Sequence, residues 1–271
     1  MNAIIVAVVS VTSIGLISAV VISVVHKLMY VKVDERVAQI LECLPGANCG
    51  ACGYAGCSGY ADALSAGNIA ANLCTPGGKA VAEKVSAVLG IEVGDVVPKV
   101  AVVHCRGDLA HQVKKMEYVG VQSCMAAKQL FGGEGACTFG CIGYGDCQAV
   151  CPVDAICMDD SLARVKTSLC IGCGLCAKAC PNNVISIENA DTAVFVLCKS
   201  IEKGAVVRKK CTSGCIGCSK CVKECPATAI ALEDNLARID SEKCASYRLT
   251  TDSSCRHCAE VCTTKCIAAA I

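Results

Sequence analysis

The sequence contains no tryptophan and only three phenylalanines in 271 residues, and aromatic residues make up 3% of the chain. Large aromatic side chains normally supply much of the buried area of a domain of about 100 residues, so this chain needs another source of cohesion. Basic and acidic residues are nearly balanced, with 25 Lys and Arg against 24 Asp and Glu. A formal net charge of +1 and the lack of a basic stripe argue against binding to nucleic acid.

Several sequence signatures of enzymes are also missing. No glycine-rich dinucleotide fingerprint follows a strand, no Walker loop is present, and no Ser–His–Asp constellation stands out. We therefore expect no complete active site in this chain alone.

Cysteine, in contrast, is abundant, with 27 residues. Disulfides, structural zinc and iron–sulfur clusters are the chemistries that use so many thiols. Disulfides suit small secreted domains in oxidising compartments, whereas these cysteines stand in tight runs with gaps of two or three residues. The spacing favours iron–sulfur clusters, with zinc as the main alternative.

The segment from Ala3 to Val25 has no charged residue and is rich in isoleucine and valine. As a helix it would extend about 35 Å, enough to cross a membrane. A secretory signal peptide would need a basic start and a shorter apolar stretch, so a transmembrane anchor is the preferred interpretation. Lys27, Lys32 and Arg36 follow the span, which predicts a single-pass protein with its large C-terminal part on the cytoplasmic side.

A first cluster module follows in the run NCGACGYAGC, with a further cysteine in CTPGG. The candidate ligands are Cys49, Cys52, Cys57 and Cys74. The interspersed glycines permit tight turns and close approach of the backbone to a cluster. The paired short gaps that structural zinc prefers are absent from this run.

The strongest motif is CIGCGLCAKACP, a bacterial ferredoxin run in which the fourth cysteine crosses to the cluster of the other run. The other run, CTFGCIGYGDCQAVCP, has gaps of three and five residues and needs a longer, glycine-rich loop. Crossed pairing assigns two sets: Cys170, Cys173, Cys176 and Cys151 to one cluster, and Cys137, Cys141, Cys147 and Cys180 to its partner.

An internal repeat then marks a second ferredoxin-like unit, because the segment from Cys151 aligns with that from Cys225 at an offset of 74 residues. In the second copy Cys218 replaces Tyr144, which leaves a choice of ligands. We prefer Cys215, Cys218 and Cys221, which have the simple ferredoxin gaps, over Cys211, Cys215 and Cys221.

In the last run, an insertion of eight residues separates Cys244 from the following cysteines. The final cysteine of this run, Cys262, is not followed by proline. Crossed pairing then assigns Cys244, Cys255, Cys258 and Cys225 to one cluster, and Cys215, Cys218, Cys221 and Cys262 to the other.

Five 4Fe-4S clusters use twenty cysteines in this way and leave seven unassigned: Cys43, Cys105, Cys124, Cys157, Cys198, Cys211 and Cys266. Lone cysteines are mostly small buried side chains. Cys198 and Cys211 bracket the segment between the two units and leave room for a sixth metal centre. Cys105 follows a predicted strand over Val96–Val103. His104 is a weaker candidate ligand.

NCGACGYAGC with the distant cysteine and PGG resembles the small 4Fe-4S domain found in the B subunit of the Rnf complex, an ion-translocating ferredoxin:NAD⁺ oxidoreductase. With the anchor and two tandem ferredoxin units, the resemblance extends over nearly the whole chain. The similarity includes a His-Cys pair after a strand, here His104-Cys105, and a later lone cysteine, here Cys124, which leaves open a role for these cysteines near the first cluster. It implies an electron-transfer protein at the inner membrane of a bacterial or archaeal cell. Such a protein accepts electrons from reduced soluble ferredoxin and relays them to other membrane and peripheral subunits of the complex.

We expect an α+β fold class made of small iron–sulfur modules. The predicted segments are a transmembrane anchor (1–28), a small 4Fe-4S domain (29–90), a connecting segment (91–133), a first ferredoxin-like domain (134–190), a linker (191–210) and a second ferredoxin-like domain (211–271). Two other functions fit the same motifs. One is an electron-transfer role in a different membrane oxidoreductase, and the other is a regulatory or scaffold protein whose clusters are structural.

Overall fold

The computed structural model describes residues 2–28, 34–67 and 69–269. Helix α1 (Asn2–Leu28) comes first, and its segment Val8–Leu28 is long and apolar enough to cross a membrane. Hydroxyls inside it bond to their own helix, since Thr12 donates to the Val8 carbonyl (2.9 Å). The helix agrees with the predicted anchor. Of the basic residues used to predict orientation, Lys32 lies outside the described residues.

Three helices form the small domain: α2 (Glu35–Cys43), α3 (Cys57–Ser65) and α4 (Gly78–Leu89). Ile40, Tyr60, Leu64 and Val85 fill its core and are almost fully buried. The Tyr60 hydroxyl donates to the Ala70 carbonyl (2.9 Å) and accepts from the Leu73 N–H (3.2 Å). One aromatic residue therefore joins the helical core to the loop that carries the fourth cysteine of the module.

The first ferredoxin-like unit contains short strands and short helices. They are β1 (Lys99–Val103), α5 (Cys124–Gln129), α6 (Asp146–Ala149), β2 (Ile156–Asp159), β3 (Leu162–Val165), α7 (Leu175–Ala179) and β4 (Ile185–Asn189). Strand β2 pairs antiparallel with β3, and β1 pairs antiparallel with β4. Strand β1 lies within the segment predicted as a strand.

The second unit repeats this order. It contains β5 (Val194–Val196), α8 (Gly204–Lys210), α9 (Lys220–Lys223), β6 (Ile230–Glu233), β7 (Leu236–Ile239), α10 (Ser241–Thr250), α11 (His257–Glu260) and β8 (Ile267–Ala269). Strand β6 pairs with β7, and β5 pairs with β8. Helix α10 accommodates the eight-residue insertion and begins where Asp240 accepts a 3.0 Å hydrogen bond from the Lys243 N–H.

Both hairpins close through two-residue turns with positive φ at each turn residue. Asp160 (φ 46°) and Ser161 (φ 59°) form one turn, and Asp234 (φ 48°) and Asn235 (φ 61°) form the other. Such turns match the twist of the flanking strands, and Asp and Asn tolerate the left-handed backbone they require. The repeat seen in the sequence is therefore also a structural repeat.

The strand that precedes each cysteine run completes the second sheet of its unit. Strand β1 lies in the predicted connecting segment and β5 in the predicted linker, yet each pairs with the last strand of a ferredoxin-like unit. Neither segment is a simple connection. Each segment contains a strand that is part of a ferredoxin-like unit, and the residues just after that strand lie beside the cysteine loops.

Candidate metal centres

The four predicted ligands of the small domain meet where α3 begins. Burial raises the pKa of Cys74, and the charges of Cys57, Cys52 and Cys49 raise it further. The Asn48 side chain accepts a 2.8 Å hydrogen bond from the Cys57 N–H, which fastens the loop to the start of the helix. The three cysteines of the run NCGACGYAGC therefore lie within electrostatic reach of the cysteine of CTPGG.

The structure also brings together the complete ferredoxin run and its crossed partner. These residues are Cys151, Cys170, Cys173 and Cys176. Burial, followed by the charges of the other three thiols, raises the pKa of Cys176 to about 11. Backbone N–H groups donate to two of the sulfurs, from Ala101 to Cys170 Sγ and from Ala155 to Cys151 Sγ, both at 3.3 Å. Hydrogen bonds of this kind stabilise thiolates and tune the potential of a cluster.

Both predicted groups of the second unit come together as well. One comprises Cys215, Cys218, Cys221 and Cys262, and the other comprises Cys225, Cys244, Cys255 and Cys258. Burial and then the charges of the other three thiols in its group raise the pKa of Cys221 to about 11. The same causes raise the pKa of Cys258 to about 12. The late cysteines thus reach their groups in spite of the eight-residue insertion.

Cys266, which was left unassigned, is almost fully buried beside the group of Cys215 and Cys262. Its Sγ lies 3.6 Å from Cys262 Sγ. Hydrogen bonds with the Cys266 thiol lower the pKa of both Cys215 and Cys262. The first unit has Val184 at the corresponding position, four residues after its crossed cysteine, so this sulfur contact is a feature of the second unit.

The remaining predicted group is brought together only in part. Cys141, Cys147 and Cys180 line a cavity of about 20 Å³, and its fourth cysteine is Cys124. Burial and then the charges of Cys141, Cys124 and Cys180 raise the pKa of Cys147 to about 12. Cys137, the predicted fourth member, lines a separate cavity instead.

A signal for Cys124 was present in the sequence at Tyr144. Counted from Cys141, the simple ferredoxin gaps place a cysteine at this position, and Tyr144 occupies it. In the structure its ring lies 5.6 Å from that of Tyr118, centre to centre. The missing thiol is replaced from outside the run, by a helix 20 residues upstream in the sequence.

Four thiols in each group are the donor set that a 4Fe-4S cluster uses. Within the described ranges, no three or more His, Cys, Asp or Glu side chains are placed to hold one metal ion. Zinc needs its four ligand atoms about 2.0–2.3 Å from one point. In an iron–sulfur cluster each thiolate binds a different iron, so the sulfurs stand farther apart. The grouping fits clusters, which supply one-electron carriers when they are bound.

Neighbouring groups lie within electrostatic reach of one another. After burial, the charge of Cys49 in the small domain contributes to the raised pKa of Cys173 in the first ferredoxin-like unit. The Lys178 ammonium donates a 2.7 Å hydrogen bond to the Cys49 carbonyl and so ties the two domains together. Within that unit, the charge of Cys176 likewise contributes to the raised pKa of Cys147.

His104 is a structural residue at the junction of the two ferredoxin-like units. Its Nδ1 lies 2.8 Å from the Val196 carbonyl oxygen, and its Nε2 lies 2.5 Å from Ser186 Oγ. Burial lowers the pKa of His104 and favours the neutral ring. With both nitrogens engaged, the side chain has no free atom for a metal.

Two of the other unassigned cysteines serve as small packing residues. Cys43 packs against the core of the small domain. Cys157 lies on β2, and its thiol donates to the Arg164 carbonyl across the hairpin (3.9 Å). Both are half-buried.

Two family models match parts of the chain. The FeS model, for an Fe-S cluster, matches residues 44–76 and covers the first cysteine group. The Fer4 model, for a 4Fe-4S binding domain, matches residues 163–186 and covers the complete ferredoxin run. The chain thus carries iron–sulfur domains at the positions where the cysteines of these two groups converge.

Relatives match the chain over most of its length. The B subunit of a proton-translocating ferredoxin:NAD(+) oxidoreductase complex from Clostridium ljungdahlii is 44% identical over 91% of this chain and 87% of its own. A Na(+)-translocating counterpart from Acetobacterium woodii is 38% identical over 98% and 78%. The B subunit of an ion-translocating oxidoreductase complex from Methanosarcina acetivorans is 36% identical over 93% of each chain.

Proposed function

This chain belongs to the B-subunit family of the ion-translocating ferredoxin:NAD⁺ oxidoreductase (Rnf) complexes, and on that premise we propose that its residues hold a row of one-electron carriers along a membrane surface. The observation that carries the proposal is the adjacency of the cysteine groups. Cys49 lies within electrostatic reach of Cys173, and Cys176 of Cys147. Because electron tunnelling slows steeply with distance, adjacent carriers divide a long transfer into short steps.

The proposed cofactors of these groups are five 4Fe-4S clusters. Four sets are those that the spacing predicts, and in the fifth Cys124 takes the place of Cys137. The revised set is Cys124, Cys141, Cys147 and Cys180, which line one cavity. Four thiolates per cluster agree with the usual ligation.

The proposed architecture is an anchor, a small 4Fe-4S domain and two tandem bacterial-ferredoxin-like domains. The pairing of β1 with β4 and of β5 with β8 supports two changes to the predicted boundaries. We assign β1 to the first ferredoxin-like domain and β5 to the second, since each strand completes a sheet there. The predicted linker 191–210 then belongs largely to the second domain.

Reduced soluble ferredoxin is the proposed electron donor, and the other subunits of the complex are the proposed acceptors. The names of the relatives from C. ljungdahlii and A. woodii include ferredoxin and NAD(+). This chain has no dinucleotide fingerprint of its own, which supports a role in relaying electrons to subunits that bind NAD⁺.

The proposed location is the inner membrane, with the cluster domains on the cytoplasmic side. Helix α1 and the family both suggest membrane association. Lys27 and Arg36 after the span support the orientation, because basic residues are enriched on the cytoplasmic side. Protease added to intact spheroplasts should leave residues 34–271 uncut, whereas inverted vesicles should lose them. Cleavage in spheroplasts would reverse the orientation.

The function is tested with the full chain purified anaerobically in detergent. Each chain should contain at least about twenty irons and about twenty acid-labile sulfides, since each cluster holds four of each. Mixing with reduced ferredoxin should produce electron paramagnetic resonance signals of reduced clusters within the time of catalytic turnover. Oxidised ferredoxin is the matched control. Zinc in place of iron would overturn the proposal, and iron that never changes its oxidation state would indicate structural clusters.

A further inference from the structure

We infer that Cys105, Cys137, Cys198 and Cys211 bind a sixth iron–sulfur cluster, which joins the two ferredoxin-like units. This inference deepens the proposed function and rests on it. None of the four has a place in the five sets proposed above. Together they line one cavity at the junction of the units.

This junction cavity has the same size and the same four-cysteine lining as a site already assigned. Its volume is about 20 Å³, as is that of the cavity lined by Cys124, Cys141, Cys147 and Cys180. Two glycines border the sulfurs closely. A Cβ on Gly140 would lie 3.5 Å from Cys105 Sγ and 3.7 Å from Cys137 Sγ, and a Cβ on Gly107 would lie 3.5 Å from Cys211 Sγ. The thiols therefore face a common space bordered by backbone.

Backbone N–H groups point at these sulfurs as they do in the other groups. Cys105 Sγ accepts hydrogen bonds from the N–H groups of Gly107 and Cys141, both at 3.4 Å. Burial raises the pKa of Cys198, and hydrogen bonds from the N–H groups of Cys215 and Ser200 oppose that effect. The same N–H···S contacts surround Cys151 and Cys170. A buried thiolate needs such donors, and a thiol that serves only as packing does not.

The two repeats contribute to the site symmetrically. Cys137 and Cys211 occupy equivalent positions at the repeat offset of 74 residues. Cys105 stands two residues after β1, and Cys198 stands two residues after β5, the equivalent strand of the second unit. Each unit therefore supplies one cysteine after its first strand and one at the start of its first cysteine run.

The position of the site explains how electrons cross between the units. Cys141, which donates its N–H to Cys105 Sγ, belongs to a group in the first unit. Cys215, whose N–H bonds to Cys198, belongs to a group in the second unit. When one electron crosses the junction, a reduced carrier in one unit would lose it and be oxidised. The carrier held by these four cysteines would be reduced and then reoxidised, and an oxidised carrier in the other unit would be reduced. Each step transfers one electron and breaks no bond.

The test is a set of alanine variants of the full chain, analysed for iron and sulfide. C105A, C137A, C198A and C211A should each lose about four irons per chain, since a cluster holds four. C137A/C198A should lose no more than either single variant, because both residues serve one cluster. C137A/C147A should lose about eight irons, because these residues serve two. C43A and C157A are matched controls and should keep the wild-type content.

Three results would overturn the inference. One is a C198A or C105A protein with wild-type iron, and another is a C137A/C147A protein that loses no more iron than C147A. A single zinc ion that disappears in all four variants is the third. The electron paramagnetic resonance signals of the remaining clusters report whether each variant is folded. A wild-type chain without redox-active iron would instead end the proposed function itself.

A kinetic readout tests the connecting role separately. The C198A protein is mixed with reduced ferredoxin and followed by freeze-quench electron paramagnetic resonance. Its clusters on one side of the junction should become reduced at the wild-type rate, and those on the other side at least ten-fold more slowly. Equal slowing of all clusters, or none, would contradict a role at the junction.

Discussion

The Asp146 carboxylate accepts a 2.9 Å hydrogen bond from the Cys124 N–H, although the two residues lie in different segments of the first ferredoxin-like unit. It also accepts from the Met125 N–H (3.0 Å) and the Ser123 hydroxyl (2.9 Å). Burial opposes ionisation, but these three donors hold the pKa of Asp146 below its ordinary value. A carboxylate next to Cys147 thus holds the start of α5 and places a thiol that the ferredoxin run lacks.

We expect Cys124→Ser to abolish one cluster. The variant should lose about four irons per chain, since its cavity keeps only three cysteines. C124S/C147S should lose no more than C147S, because both residues belong to one group. Cys157→Ser is the control, since its thiol bonds only across a hairpin. Iron content is measured after anaerobic purification, and unchanged iron in C124S would restore Cys137 as the better candidate.

Asp146→Asn should weaken the placement of Cys124 without removing a thiol. A neutral amide accepts hydrogen bonds less strongly than a carboxylate, and losing a charged hydrogen bond costs about 1–3 kcal/mol. We expect full iron content at first and faster release of about four irons to a chelator. Asp159→Asn, at an exposed ion pair with Arg164, is the control. Release at the wild-type rate would show that Asp146 is dispensable.

Lys178→Met should loosen the small domain from the first ferredoxin-like unit. The substitution keeps most of the side chain but removes the ammonium that donates to the Cys49 carbonyl at 2.7 Å. Hydrogen exchange at residues 48–53 should then rise, by up to about ten-fold for a loss of about 1.5 kcal/mol. Lys79→Met, at an exposed helical ion pair with Glu83, is the control. Unchanged exchange in this loop would mean that other contacts hold the domain.

His104→Phe should separate the two ferredoxin-like units locally. Phenylalanine keeps an aromatic ring at this position but loses the hydrogen bonds to Val196 and Ser186. The Ser186 hydroxyl keeps its 2.6 Å hydrogen bond to Glu188, whereas the Val196 carbonyl loses the imidazole partner. Losing the partner of a buried polar group costs about 1–3 kcal/mol. Limited proteolysis should therefore cut segment 190–203 faster than in the wild type. His257→Phe, at an exposed position, is the control. Equal cleavage rates would assign the stability of the junction to the strands instead.

The sequence alone determined those features that depend only on residues close together in the chain. The gap of two residues between Cys170 and Cys173 places both thiols on one loop, and these two residues lie in one group. The gap of three residues between Cys137 and Cys141 is not enough, since these two cysteines line separate cavities. The apolar run of α1 and the repeat of the hairpins were equally readable. Their periods and turn residues depend on neighbouring positions.

Only the tertiary structure decided which distant thiols join which group. Cys124 reaches Cys147 because α5 is held by Asp146. Cys105 and Cys198 reach one cavity because β1 and β5 pair with the last strands of their units. The spacing of residues along the chain does not determine these long-range contacts, since a long connecting segment allows its two ends many relative positions. Strand pairing and burial select one of them.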